Sequence, residues 1–154
     1  MLNRFSQFSY MISSIHRNIQ KIEHDEMVKL GYKGAYAKYL VAMFQQPQGI
    51  TNSNLCELCD KNKAAVSRII SEMEEKGLVI RNHSYNALIK LTNKGENLAK
   101  YVCAKAELAV KEVSKDLPND QRSILYLTLN HLSGAINKIS ENGLPTILIN
   151  KEGE

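Results

Sequence analysis

Lys61-Asn62-Lys63-Ala64-Ala65-Val66-Ser67-Arg68-Ile69-Ile70-Ser71-Glu72-Met73-Glu74-Glu75-Lys76-Gly77-Leu78-Val79-Ile80-Arg81 is the stretch on which the reading of the fold turns. Val66, Ile69, Ile70 and Met73 recur at i, i+3, i+4 and i+7, which places them on one face of a helix over residues 63–76. Asn62 is suited to cap its start and Gly77 to end it. Ala64, Ser67, Arg68 and Ser71 repeat the same spacing on nearly the opposite face. Short side chains there allow close approach to the floor of a DNA groove. Arg donates bidentately to guanine, and Ser bonds to base edges or phosphates. Lys61 and Lys63 stand at the amino end, where backbone N–H groups also attract phosphate. The acids Glu72, Glu74 and Glu75 are confined to the final turns, so the first two turns carry no negative charge.

Immediately downstream, residues 78–81 and 87–91 read as two strands around the polar tip Asn82-His83-Ser84-Tyr85-Asn86. A hairpin at that position is a wing able to reach the neighbouring minor groove. Upstream, residues 53–60 read as a short helix containing Leu55, Leu58 and Cys59. Residues 34–45 read as another, with Tyr36, Leu40, Met43 and Phe44 on its buried side, and Gln46-Pro47-Gln48-Gly49 is a turn.

Both ends of the chain carry longer stripes. Phe5, Phe8, Ile12, Ile15, Ile19 and Ile22 follow one another at steps of three and four, as in a helix seam, and Gly31 closes that segment. A long helix from Thr92 to Leu117, softened at Gly95, is expected to align Ala99, Cys103, Ala106, Val110, Val113 and Leu117. A last helix after Pro118 aligns Leu125, Leu129, Leu132, Ile136 and Ile139. Three seams exceed what a small unit needs to cover itself, so residues 1–31 and 96–154 are expected to form a dimerisation platform around a DNA-binding region at 34–95. The expected interface residues are Phe5, Phe8, Ile12, Ile15, Ile19, Val110, Val113, Leu125, Leu129, Leu132 and Ile136. The fold class is mainly α with a minor β element, a winged helix-turn-helix with terminal dimerisation helices.

Bulk properties agree with this. In 154 residues, 44% hydrophobic and 23% charged residues are ordinary globular values and exclude a disordered chain. The net charge of +4 favours a polyanionic partner only mildly. No run reaches the roughly 18 apolar residues of a membrane span, and the first 15 residues are interrupted by serines and Gln7, unlike a secretion signal. An odd count of three cysteines suits a reducing compartment. A cytoplasmic protein without a membrane partner is expected.

The segments Ile50-Thr51-Asn52-Ser53-Asn54-Leu55, Lys63 through Ile70, Met73 through Arg81, and Leu91-Thr92-Asn93-Lys94-Gly95 together resemble the MarR family (multiple antibiotic resistance regulators). The resemblance covers most of the chain, and Leu-Thr-x-x-Gly after the wing is its more specific part. It implies an obligate homodimer on double-stranded DNA at a pseudo-palindromic operator. It further implies repression relieved by a small phenolic or lipophilic ligand or by cysteine oxidation. By position, Lys63, Ala64, Ser67, Arg68 and Ser71 face the major groove, Thr51 and Ser53 begin the preceding helix near a phosphate, and Arg81 flanks the wing. The family's wing is a few residues longer and carries Asp-x-Arg. Here the tip has neither residue, leaving His83, Tyr85 and Lys90 as the candidate contacts. That wing is the main support for an alternative, a winged-helix protein–protein interaction module without DNA binding.

Enzymatic and cofactor readings find little support. Cys56-x-x-Cys59 lacks the second ligand pair of a zinc site, and these cysteines and Cys103 are expected to pack as small hydrophobes. His16, His24, His83 and His131 are scattered and form no catalytic constellation. His24, Asp25 and Glu26 are candidate metal ligands, but as sequence neighbours they fan around a helix, so a solvated face is expected. No enzyme activity, cofactor or metal is expected. Tyr32, Tyr36, Tyr39 and Met43 are the candidate lining of an effector pocket.

Overall fold

Short capped helices and one glycine-terminated helix set the course of the chain in its central region. The computed structural model describes residues 4–82 and 87–144, and of Phe5 the backbone alone. Its elements, in order, are α1 (Arg4–Lys29), α2 (Tyr36–Phe44), α3 (Asn52–Cys59), α4 (Lys63–Glu75), β1 (Val79–Arg81), β2 (Ile89–Leu91), α5 (Asn93–Val113) and α6 (Asn119–Asn142). The chain divides into two units, Met1–Glu112 and Val113–Glu154.

In the first unit, α3 begins at Thr51, whose Oγ1 accepts from the Asn54 amide at 3.2 Å. It ends at Asp60, whose left-handed backbone (φ 49°) turns the chain sharply. Asp tolerates that conformation better than most residues. Two residues later Asn62 Oδ1 accepts from the Ala65 amide at 2.9 Å and starts α4, as its sequence position predicts. At the far end Gly77 (φ +70°) lets the Gly77 amide bond Glu74 O and the Leu78 amide bond Met73 O, each at 2.9 Å. Met73 and Leu78, on either side of this C-terminal motif, are both fully buried.

The chain then forms an antiparallel pair with Val79 opposite Leu91, Ile80 opposite Lys90 and Arg81 opposite Ile89. Ile50 extends it by exchanging both backbone hydrogen bonds with Ile89, at 3.0 and 2.8 Å. The core gathers Met27 from α1, Tyr36, Tyr39, Leu40 and Met43 from α2, and Leu55 and Cys59 from α3. Val66, Ile69, Ile70 and Met73 from α4 join Val79, Ile89 and, from α5, Leu98, Ala99 and Val102.

The Leu91-Thr92-x-x-Gly95 signature has a physical basis. Thr92 Oγ1 accepts from the Gly95 amide at 3.1 Å, capping α5, and donates to Gly77 O at 2.6 Å. The Thr92 amide donates to Leu78 O at 3.0 Å. A Cβ on Gly95 would stand 2.0 Å from that same Leu78 oxygen. Gly95 is therefore the residue that lets α5 start against the end of α4, and the helix runs through it without a break.

Two expectations along α5 need correction. The helix ends at Val113, and Leu117 lies beyond it. Its buried edge is Leu98, Ala99, Val102 and Ala106, rotated from the expected seam: Cys103 and Val110 are half-buried and Val113 is 82% exposed. Gly95 lies on the same buried face as Leu98, Ala99, Val102 and Ala106.

In the second unit, α6 has no buried residue. Ile124, Leu125, Tyr126, Leu127, Leu132 and Ile136 are all exposed. Pro118 precedes its first turn and Gly143 (φ +82°) follows its last, as expected for those residues. Among the described residues no helix is long and apolar enough to cross a membrane.

Candidate nucleic-acid interface

Helix α4 presents two contrasting sides. Val66, Ile69, Ile70 and Met73 are buried against the core, as their spacing predicts. On the other side Ala64 and Arg68 are exposed, and Ser67 and Ser71 are half-buried. Arg68 has no hydrogen-bond partner among the described residues, which leaves its guanidinium open for an external acceptor. Lys61 and Lys63 are exposed at the amino end of α4, and Ser53 is exposed in the first turn of α3. Thr51 is half-buried, with its hydroxyl oxygen in use as the α3 cap.

Two of the three acids of α4 are held by cations. Glu72 Oε2 accepts from Lys33 Nζ at 2.8 Å and from the Tyr36 hydroxyl at 3.2 Å. Its carboxyl lies below the usual range, first through the Lys33 hydrogen bond. Glu74 accepts from Arg81 Nε at 2.9 Å. Only Glu75 of the three keeps an exposed, unpaired carboxylate among the described residues. The side of α4 carrying Ala64 and Arg68 therefore retains its cation while the acids behind it are largely compensated.

Arg81 is placed differently from a free phosphate-binding arm. It is half-buried, with Nε on Glu74 and an Nη donating to Ser71 Oγ at 3.1 Å. A second link was not legible in the sequence: Asn52 Nδ2 donates to Ser67 Oγ at 3.0 Å, joining α3 to α4. A side chain 15 residues away in sequence leaves no periodic trace, so no spacing rule points to Asn52. Lys90 is exposed on β2 with its stem over Gly49. His83 and Tyr85 lie outside the described residues.

Of the four residues expected to line a pocket, Tyr36 and Tyr39 are core residues, and burial raises both phenols above their ordinary range. Tyr32 packs partly against the same core, with the Lys94 ammonium 5.9 Å from its ring centre. Met43 lines a cavity of about 160 Å³ shared with Phe44, Gln46, Pro47, Lys90, Leu91 and Glu96. A second, of about 180 Å³, opens between α1 and α2 beside Gln20, Glu23, His24, Gly34 and Lys38. The Cys59 and Cys103 thiols are pushed up by burial, which disfavours the reactive thiolate. Among the described residues no three His, Cys, Asp or Glu side chains gather as a metal site.

No protein-family model and no curated protein matches the sequence. Solved structures do. A Listeria monocytogenes MarR family transcriptional regulator complexed with 26mer DNA matches with a TM-score of 0.69 and 22% identity, over 88% of this chain and 95% of that one. CouR from Rhodococcus jostii RHA1, bound to p-coumaroyl-CoA, matches with a TM-score of 0.64 and 18% identity, over 90% and 94%. The apo form of wild-type MarR from E. coli matches with a TM-score of 0.65 and 19% identity, over 80% and 95%. With its helix-turn-helix, two-stranded wing and flanking long helices in that order, the chain has the winged-helix fold of the MarR family of transcriptional regulators.

Proposed function

We propose that this chain is a sequence-specific, double-stranded-DNA-binding transcriptional regulator rather than an enzyme, a repressor acting in the cytoplasm as a homodimer on a pseudo-palindromic operator. One observation carries the reading. Helix α4 buries its whole aliphatic side and turns outward an acid-free surface of Ala64, Ser67, Arg68 and Ser71, with Lys61 and Lys63 at its amino end. Such a surface fits the major groove: small residues admit the backbone, Arg68 donates to guanine, and the lysines neutralise phosphate. The Listeria protein with the same fold was crystallised with DNA, which supports transferring that activity here.

The dimer is proposed from apolar surface. Helix α6 has no buried side chain, and helices in proteins owe most of their stability to packing. Phe8, Ile12 and Ile15 on α1, and Leu125, Leu132 and Ile136 on α6, are exposed apolar side chains of the kind a second copy would cover. The terminal segments 1–31 and 96–154 are the proposed platform, setting two α4 helices roughly 34 Å apart in successive major grooves. Release by a small lipophilic or phenolic effector is proposed by analogy with the CoA thioester in CouR.

Duplex binding measured against salt tests the reading. A slope of log affinity on log salt of about −0.9 per neutralised phosphate is expected, and a slope near zero favours a protein–protein interaction module instead. Arg68→Ala should cost about 1–3 kcal/mol on the selected site and relax preference at one base position. Equal loss on cognate and random duplex would reduce Arg68 to a phosphate contact.

A further inference from the structure

We infer that Asn52 and Arg81 are specificity-determining residues: they hold Ser67 and Ser71 as hydrogen-bond donors, so that the outward face of α4 selects base edges presenting acceptors, guanine above all, and rejects the cytosine amino group. The inference rests on the DNA-binding reading above and adds which base-edge chemistry is read.

Ser71 is the less ambiguous case. A guanidinium has only donors, so the 3.1 Å contact from Arg81 must use a lone pair of Ser71 Oγ. Arg81 is itself anchored by Glu74 at 2.9 Å, which fixes the direction of that donation. At Ser67, Asn52 Nδ2 donates at 3.0 Å and Asn52 Oδ1 is buried with no partner. The reverse amide orientation would bury N–H donors at that place instead, and orphaned N–H groups are rarer in proteins than under-satisfied carbonyl oxygens. Both serines thus accept from within the protein, and neither donates to any acceptor among the described residues. Accepting a hydrogen bond, especially from a cation, polarises the hydroxyl and strengthens it as a donor.

Arg68 stands between the two serines and offers only N–H groups. Ser67 and Ser71 are one helical turn apart, about 6 Å, close to two base steps of roughly 3.4 Å each. The face therefore presents donor, forked donor, donor, with no carboxylate in its first two turns. In the major groove that pattern matches guanine O6 and N7, adenine N7 and thymine O4, and opposes the amino hydrogens of cytosine.

The test is selection from a random duplex pool with the full chain, comparing wild type with Ser67→Ala, Asn52→Asp and Asn52→Ala. Wild type should enrich an acceptor-bearing base at the position whose preference Ser67→Ala flattens. Asn52→Asp, which accepts from the Ser67 hydroxyl and turns its lone pairs outward, should shift the guanine-to-cytosine ratio there at least tenfold toward cytosine. Asn52→Ala, which adds no charge, should flatten that ratio and serves if Asn52→Asp binds too weakly to select. Unchanged base ranking in both Asn52 variants, or no effect of Ser67→Ala at any position, overturns the inference while leaving DNA binding intact. No enrichment by wild type, with a flat salt dependence, overturns the DNA-binding reading and this inference with it.

Discussion

Helices α4 and α6 carry similar apolar stripes, yet α4 buries four residues of its stripe in its own chain and α6 buries none. The difference teaches that a stripe at helical spacing reports an apolar seam without saying whose surface covers it. Around α4 the local chain supplies the cover: caps at Thr51 and Asn62 bring α3 onto it, and the turn at Gly77 folds β1 back. Around α6 Pro118 and Gly143 define the ends but add no partner. One region is stable through its own contacts, and the other is proposed to depend on a second molecule.

The sharpest way to break this contrast is inside the α4 core. Met73→Ala should cost about 2–5 kcal/mol in denaturant unfolding, because Met73 is fully buried and its loss leaves a cavity. A cost below about 1 kcal/mol would show that the α4 region is not closed by its own chain. Next in size is Gly95→Ala. Helix propensity alone favours alanine by about 1 kcal/mol, but a Cβ 2.0 Å from Leu78 O forces α5 off its seat. A net loss of about 1–3 kcal/mol is expected, and a gain in stability would show that α5 does not need a glycine at position 95 to pack against Leu78 O.

At α6 the expected effect is on assembly. Ile136 is 61% exposed, so Ile136→Asp should leave the core intact by circular dichroism while raising the dimer dissociation constant at least about tenfold, a 1.4 kcal/mol change. Sedimentation across a concentration series reads this directly, and an unchanged dimer would place the interface elsewhere. The smallest effect concerns Glu23, a buried carboxyl on α1. Desolvation raises it above the ordinary 4.5, so the folded state holds its proton more tightly than the unfolded one. That contribution favours folding at low pH and is lost as pH rises from about 4.5 through the raised value. Glu23→Gln should therefore be more stable than wild type at pH 7, with the gap closing below pH 4.5. A gap that widens on acidification would contradict the desolvated environment.

Much of the fold was legible in the residues because its signals are local. The cap at Asn62, the stop at Gly77 and the 66–69–70–73 spacing each act within a few residues, and all appear where their chemistry requires. The Thr51 cap, by contrast, starts α3 at Asn52, one residue before the expected start. The candidate DNA-facing residues of α4 followed from the same spacing. The tyrosines at 36 and 39 were harder to place, since an aromatic stripe fills a core as readily as it lines a pocket, and here both fill the core.

Helix order, the wing position and the apolar seams were thus set by short-range chemistry that a linear reading can follow. Packing alone revealed that Gly95 is needed for contact with Leu78 O, that α5 buries Leu98 and Val102, and that Asn52 and Arg81 engage the serines of α4. Those contacts join residues brought together by the folded backbone, and their hydrogen-bond direction depends on geometry that no spacing rule encodes.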